Sequence, residues 1–244
     1  MHLIKTIFFL VLFSLPLFAD DEVKTTHLEN FASPLTTNAS YILIGGSLAT
    51  ANSWASHDSY AYEKRISYRD SQPFKQFGVI GAVLGLGFLN FGYSGLNYYY
   101  GKKDGNEKYL KRSNLMLQST FYSLLWALIL KTSVSEKRPG YPDQDDSFPS
   151  GHSTASFAFA SYIAAEHGWW WGTATYALAG FIAISRINDD FHYLHDTLAG
   201  ATIGASYGWG IYLLNSSEQT DSILTHFSPG VTHDSYSLTY RYEF

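Results

Sequence analysis

Stretches free of charge alternate along the chain with short charged or turn-rich pieces. The charge-free windows are residues 41–56, 77–96, 113–130, 153–165, 168–185 and 197–215. Their lengths predict six helices, four or five of them near the length needed to cross a bilayer. Beyond residue 215 the pattern changes. A polar stretch and a Ser228-Pro229-Gly230 turn signal lead into Tyr236, Leu238, Tyr240, Tyr242 and Phe244, which alternate with Ser237, Thr239, Arg241 and Glu243. Period two predicts a strand. A terminal Phe on such a strand resembles the closing segment of an outer-membrane barrel, yet one strand cannot make a barrel, so a small hairpin laid on the bundle is expected. At the other end, His2 and Lys5 precede an apolar run over residues 7–15, then Pro16 and Ala19. That order reads as a signal peptide over 1–19, with an uncleaved anchor helix as the alternative. The expected organisation is a signal peptide (1–19), an exposed N-terminal segment (20–40), an all-α six-helix bundle (41–215) and a tail with a short strand or hairpin (216–244).

Composition pulls in two directions. The windows carry many Gly, Ser, Thr, Asn and Tyr, and the mean hydropathy of −0.09 leaves a water-soluble bundle open. Against it stand the spacings Gly81 to Gly85, Gly200 to Gly204 and Gly204 to Gly208, which allow helices to approach closely in lipid. The aromatic clusters Tyr98-Tyr99-Tyr100 and Trp169-Trp170-Trp171 at window ends point the same way. A membrane-embedded bundle is expected. Between two windows lie Lys102, Lys103, Lys108, Lys111 and Arg112, a segment the positive-inside rule places in the cytoplasm. The third window then delivers Lys131 to the exported face, the periplasm or exterior of a bacterial envelope. Residues 57–76 hold a further four basic residues. Both loops cannot be cytoplasmic if 41–56 spans, so that helix is expected to lie half-buried or interfacial. The net charge of −5 offers no basic field for nucleic acid. The absence of cysteine excludes disulfides, thiolate catalysis and cysteine-ligated zinc.

Three short segments carry candidate chemistry. In the first, Lys131 is followed seven residues later by Arg138 and then Pro139. If the helix of the third window runs on to Pro139, both cations project from one face. Taken alone, the pair reads better as a solvated positive helix end. In the second, Pro149-Ser150-Gly151-His152, Ser150 is placed to start a helix whose free N–H groups can receive an anion, and Gly151 allows close backbone approach. An ordinary capped helix start with an incidental histidine fits as well. In the third, Arg186 supplies another fork, and His192 and Asp196 are four apart on one expected helix face. A carboxylate beside an imidazole fixes its tautomer and frees the other nitrogen to act as a nucleophile. His195 is the rival histidine; its side chain points about 100° away on a helix and is expected at the surface or behind the site. Asp189 and Asp190 are expected to be loop or cap carboxylates rather than metal ligands.

With Ser185, these segments make eleven specified positions in order and at fixed gaps. Together they resemble the signature of the type 2 phosphatidic acid phosphatase and vanadium haloperoxidase superfamily, firmly over residues 113–215. The resemblance implies a metal-independent phosphatase working through a phosphohistidine. Lys131, Arg138, Ser150, Gly151 and Arg186 would hold the phosphoryl oxygens. His192 would attack, steadied by Asp196, and His152 would serve as acid and then base. No cofactor is implied. The short interval from Pro139 to Pro149 leaves little room for a lid, so a phosphorylated lipid reaching the site from the membrane is the expected substrate. A soluble exported acid phosphatase of broad specificity would use the same residues. A vanadium-dependent haloperoxidase and a non-enzymatic outer-membrane protein are more distant alternatives.

Overall fold

Helix α1 (His27–Thr36) starts where Thr26 and Glu29 cap each other, the Thr26 N–H donating to Glu29 Oε2 at 2.7 Å and the Glu29 N–H to Thr26 Oγ1 at 3.2 Å. The computed structural model describes residues 25–56, 74–216, 227–231 and 236–240 of the 244-residue chain. The expected signal peptide at 1–19 lies outside the described residues. Within the segment expected to be exposed, α1 instead buries Asn30, Ser33 and Pro34. Its inward face is polar, with Asn30 donating to Gln118 at 2.9 Å, which is why hydrophobic patterning passes it over.

Helix α2 (Ala39–Ala55) follows. Helix α3 (Phe74–Val83) continues through a π-helical turn (Leu84–Phe88) into α4 (Leu89–Asp104); Gly87 takes φ 88° in that turn, a value open to glycine. Helix α5 (Glu107–Val134) is the longest of the described elements, followed by α6 (Gly151–His167), α7 (Trp169–Asn188) and α8 (Leu194–Asn215). Each of the six apolar windows is helical. The tail forms an antiparallel hairpin, β1 (Phe227–Val231) with β2 (Tyr236–Tyr240). The expected turn residues Ser228, Pro229 and Gly230 lie inside β1, where Pro229 pairs with Leu238.

Helices α6 and α8 form the central pair, and glycine makes it possible. A Cβ on Gly208 would come within 2.6 Å of Ser161 Cβ, and one on Gly204 would strike the Thr154 carbonyl oxygen. The small-residue stripe therefore lets two backbones touch. Helix α2 runs antiparallel along α8. Gly46 meets Thr202, and Trp54 reaches His195 at the start of α8. The helix expected to be half-buried or interfacial thus packs one face on α8 and leaves the other exposed, and its end lies at the same end of the bundle as the start of α8. Leu115, Met116, Tyr122, Tyr162, Ile163, Tyr207 and Ile211 form the apolar core.

Polarity is distributed in an unusual way. Buried positions among the described residues are more often polar than apolar, and include Asn90, Gln118, Thr120 and Ser206. Large apolar side chains lie outside, among them Leu48, Val79, Phe88 and Leu96, each more than half exposed. The continuous helix Gly78–Asp104 is long and apolar enough to cross a membrane by length and composition.

Candidate active site

The central helix pair also sets the site. At its start, Ser150 caps α6, its Oγ accepting from Ser153 N, while its own N–H donates to the Asp196 carbonyl at 3.0 Å. Gly200 leaves room for this contact, since a Cβ there would strike the Ser150 carbonyl. The first turns of α6 and α8 are therefore locked together. A Cβ at Gly151 would meet nothing within 4 Å beyond its chain neighbours and its own helix, so the space beside this residue is open.

Lys131 stands on the last turn of α5 and is buried, its ammonium donating to the main-chain oxygens of Asp146 and Ser147. Helix α5 then stops, because Ser135 turns left-handed with φ 51°. Arg138 consequently sits on the following loop and not on the helix face expected to carry both cations. The loop returns it toward Lys131, and its guanidinium grips Asp146 as a fork, at 2.6 and 3.0 Å. Burial would raise the Asp146 carboxyl. Arg138 outweighs that, aided by Lys131, and holds it below the usual carboxylate range. Arg186, at the end of α7, is buried and donates to Asp189 at 2.9 Å and to the Gly78 carbonyl at 2.9 Å. The ring of Phe191 lies between the two arginines, 5.5 Å from the Arg138 guanidinium carbon and 5.4 Å from that of Arg186.

His192 and Asp196 do not share a helix. His192 precedes α8, and Asp196 is the third residue within it, reaching back so that its Oδ2 accepts from Tyr193 N at 2.7 Å and from Ser147 Oγ at 2.6 Å. The same oxygen faces His192 Nδ1 at 3.5 Å. A carboxylate capping its own helix thus positions an imidazole on the preceding loop. Burial pulls the His192 imidazole down to about 4; Asp196 opposes the drop, and the charges of Lys131 and Arg138 add to it. His152, the second residue of α6, falls to about 3 through burial and the charges of Arg186 and His192. Both rings are neutral at pH 7. Burial also brings Lys131 down to about 8, against the pull of Asp146. The π-helical turn closes over His152, for a Cβ on Gly85 would come within 2.7 Å of its ring.

The Ser150 N–H and the Ser147 hydroxyl both bond Asp196, and Arg138 and Arg186 both lie against the ring of Phe191, the neighbour of His192. His152 feels Arg186, His192 and Arg138, and His192 feels Lys131 and Arg138. All three sequence segments thus meet at one place, with three cations and two neutral imidazoles. That set suits an anion with several oxygens and a centre open to attack. Other participants went unseen in the sequence: Ser147 on Asp196, Asp146 on Arg138, and Phe191 against both arginines, while Asp189, expected as a loop or cap carboxylate, caps α7 and holds Arg186. No spacing rule marks them. Of the two placements expected for His195, at the surface or behind the site, the structure has the second. His195 is fully buried, its Nε2 lying 2.9 and 3.0 Å from the two Glu136 oxygens. Glu136, His195 and Asp196 form a compact group whose potential ligand atoms are within 4.8 Å of one another. The short contacts between His195 and Glu136 make it a hydrogen-bonded cluster.

Comparison with known proteins gives a consistent picture. Residues 115–219 match the family model described as the PAP2 superfamily. Over 66 residues the chain is 39% identical to lipid A 1-phosphatase of Porphyromonas gingivalis, an alignment covering 26% of this chain and 15% of that relative. The fold resembles the crystal structure described as the first transmembrane PAP2 type phosphatidylglycerolphosphate phosphatase, from Bacillus subtilis. The TM-score is 0.53 over 70% of this chain and 94% of that one, at 19% sequence identity. At that identity the likeness is one of fold.

Proposed function

We propose, from a chain whose residues 115–219 carry the PAP2 superfamily module, that this protein is a membrane-embedded phosphatase acting on a phosphorylated lipid through a phosphohistidine at His192, without a metal. The observation that carries the proposal is the convergence of Lys131, Arg138, Arg186 and His152 on His192, whose Nδ1 faces a buried carboxylate. Asp196 keeps the Nδ1 proton, so Nε2 presents a lone pair to phosphorus. Attack forms the N–P bond and breaks the bond from phosphorus to the lipid oxygen. His152 gives its proton to the departing alkoxide, then takes one from the water that hydrolyses the N–P bond, releasing inorganic phosphate and His192. The lysine, the arginines and the start of α6 offset charge on the equatorial oxygens in the in-line transition state. His152 is neutral beforehand, and the phosphate's negative charge raises its proton affinity, so its proton arrives with the substrate.

The lipid character of the substrate rests on the exterior. Exposed Leu48, Val79, Phe88 and Leu96 surround a bundle whose interior is polar, an arrangement suited to lipid and costly in water. Both named relatives are phosphatases of lipids. The site lies at the end of the bundle opposite Lys102, Lys103 and Lys108, and with that basic segment in the cytoplasm it would face the periplasm of a bacterial envelope. Purified full-length protein assayed against phosphatidate, phosphatidylglycerol phosphate, a polyprenyl diphosphate, lipid A and p-nitrophenyl phosphate tests the reading. Turnover of a lipid phosphate undiminished by EDTA is expected. Dependence on a divalent ion, or release of the native protein from membranes by alkaline carbonate, would contradict it.

A further inference from the structure

A second imidazole touches the same carboxylate from behind. Asp196 is fully buried and its oxygens differ: Oδ2 serves Ser147, Tyr193 and His192, while Oδ1 lies 3.3 Å from His195 Nε2. That nitrogen also contacts both oxygens of Glu136, at 2.9 and 3.0 Å. The His195 ring is clamped between Trp54 of α2, stacked at 4.6 Å, and Tyr193, stacked at 5.3 Å, with Phe148 at 6.1 Å. It can neither tilt nor leave without displacing an aromatic ring. Such a clamp is more than the capping of a helix requires.

We infer that Glu136 and His195 are positioning residues for the phosphohistidine chemistry, holding Asp196 from behind in one orientation and as an anion so that it can orient His192. The inference rests on the reading of His192 as the nucleophile. Two carboxylates this close repel, and His195 Nε2, 2.9 and 3.0 Å from the Glu136 oxygens and 3.3 Å from Asp196 Oδ1, stands between them. The Glu136 carboxyl is raised by burial and by Asp196, whereas the Asp196 carboxyl is lowered: burial opposes, but His192 and Ser147 outweigh it. The surrounding charges are few. Lys131 acts on both carboxylates, and His192 faces Asp196, Lys131, Arg138, His152 and Asp146.

The pH profile of kcat/KM, measured for full-length protein with phosphatidate in mixed micelles, separates positioning from mere structural support. In His195→Gln the imidazole between the two carboxylates is lost, their negative field on His192 grows, and the acid limb rises by about half a pH unit or more. In Glu136→Gln one carboxylate is gone and the acid limb moves the opposite way. Acid limbs of both variants coinciding with that of the parent protein would overturn the inference, whatever the loss in rate. Should His195→Gln fail to fold, the isosteric Glu136→Gln decides alone. Where turnover is too low, the His192 titration is read directly by ¹⁵N-histidine NMR, with the same two directions expected. Retained activity in His192→Ala would instead defeat the underlying phosphohistidine reading, so the two failures are distinguishable.

Discussion

The two ends of the bundle use the same residue types in opposite ways. At one end Lys102, Lys103 and Lys108 are exposed beside Trp169, Trp170 and Trp171, which are each more than 60% exposed. Lys102 and Lys103 hover over Tyr98 and Tyr99, 5.7 and 5.9 Å from the ring centroids. At the other end Lys131 and Arg186 are buried, Arg138 is nearly so, and every one of them is held by an oxygen. An exposed cation is solvated and cheap, whereas a buried one needs partners to persist. Among the described residues the buried cations, Lys131 and Arg186, lie at this end alone, and their concentration there marks chemistry better than basic character does. Exposed charge and aromatic rings at the far end are instead what a membrane surface accepts.

Removing His192, the proposed nucleophile, should have the largest effect. His192→Ala is expected to abolish turnover, checked by the absence of a ³²P-labelled enzyme intermediate after rapid quenching. Next comes the proton carrier. His152→Gln should lower kcat by about 10²- to 10⁴-fold, the usual contribution of general acid–base assistance, while KM changes little. A smaller loss with an activated leaving group such as p-nitrophenolate, which needs no proton, would sharpen the assignment. An equal loss with both leaving groups would break it.

Grip on the phosphoryl group should show as a pH dependence of intermediate size. Burial brings Lys131 to about 8, so its charge is complete well below that pH and is lost as pH rises through it. The basic limb of kcat/KM, which reports the free enzyme, is expected near there. Lys131→Arg places a group that stays charged at all working pH and should carry the basic limb upward, even as the larger head lowers the plateau. An unmoved limb would assign that titration to another group. On the acid side, His192 stays neutral down to about pH 4, so activity is expected to fall only as pH drops toward that value.

What the chain disclosed before folding follows from the same contrast. Charge-free windows reveal helices wherever lipid-facing or core residues exclude charge, and all six appear. Helix α1 stayed hidden because Asn30 and Ser33, its inward residues, are polar. At the site, residue types at fixed gaps named Lys131, Arg138, Ser150, His152, Arg186, His192 and Asp196, and the structure gathers them. Their backbone settings were not legible. Ser135 ends α5 early by turning left-handed, which few serines do, and Tyr193 begins α8 without the usual capping side chain. Glu136 was passed over, and its pairing with His195 was not legible, because only folding brings residues 59 positions apart onto one carboxylate.

The smallest effect should come from the exposed end, and it tests whether the two ends are truly different in kind. Replacing Trp169, Trp170 and Trp171 by Ala together with Lys102 and Lys103 by Gln removes aromatic and basic character without touching the buried cations. In detergent, kcat should stay within about twofold of the parent, since the substituted side chains are solvated and hold nothing at the site. In cells, the same variant should lose orientation: weaker flanking charge and fewer interfacial rings leave the two topologies closer in free energy. Protease protection of a tag placed between Gly105 and Glu107 reads that loss. A large fall of kcat in detergent would mean the far end supports catalysis through the helices, and the separation of anchoring from chemistry would fail.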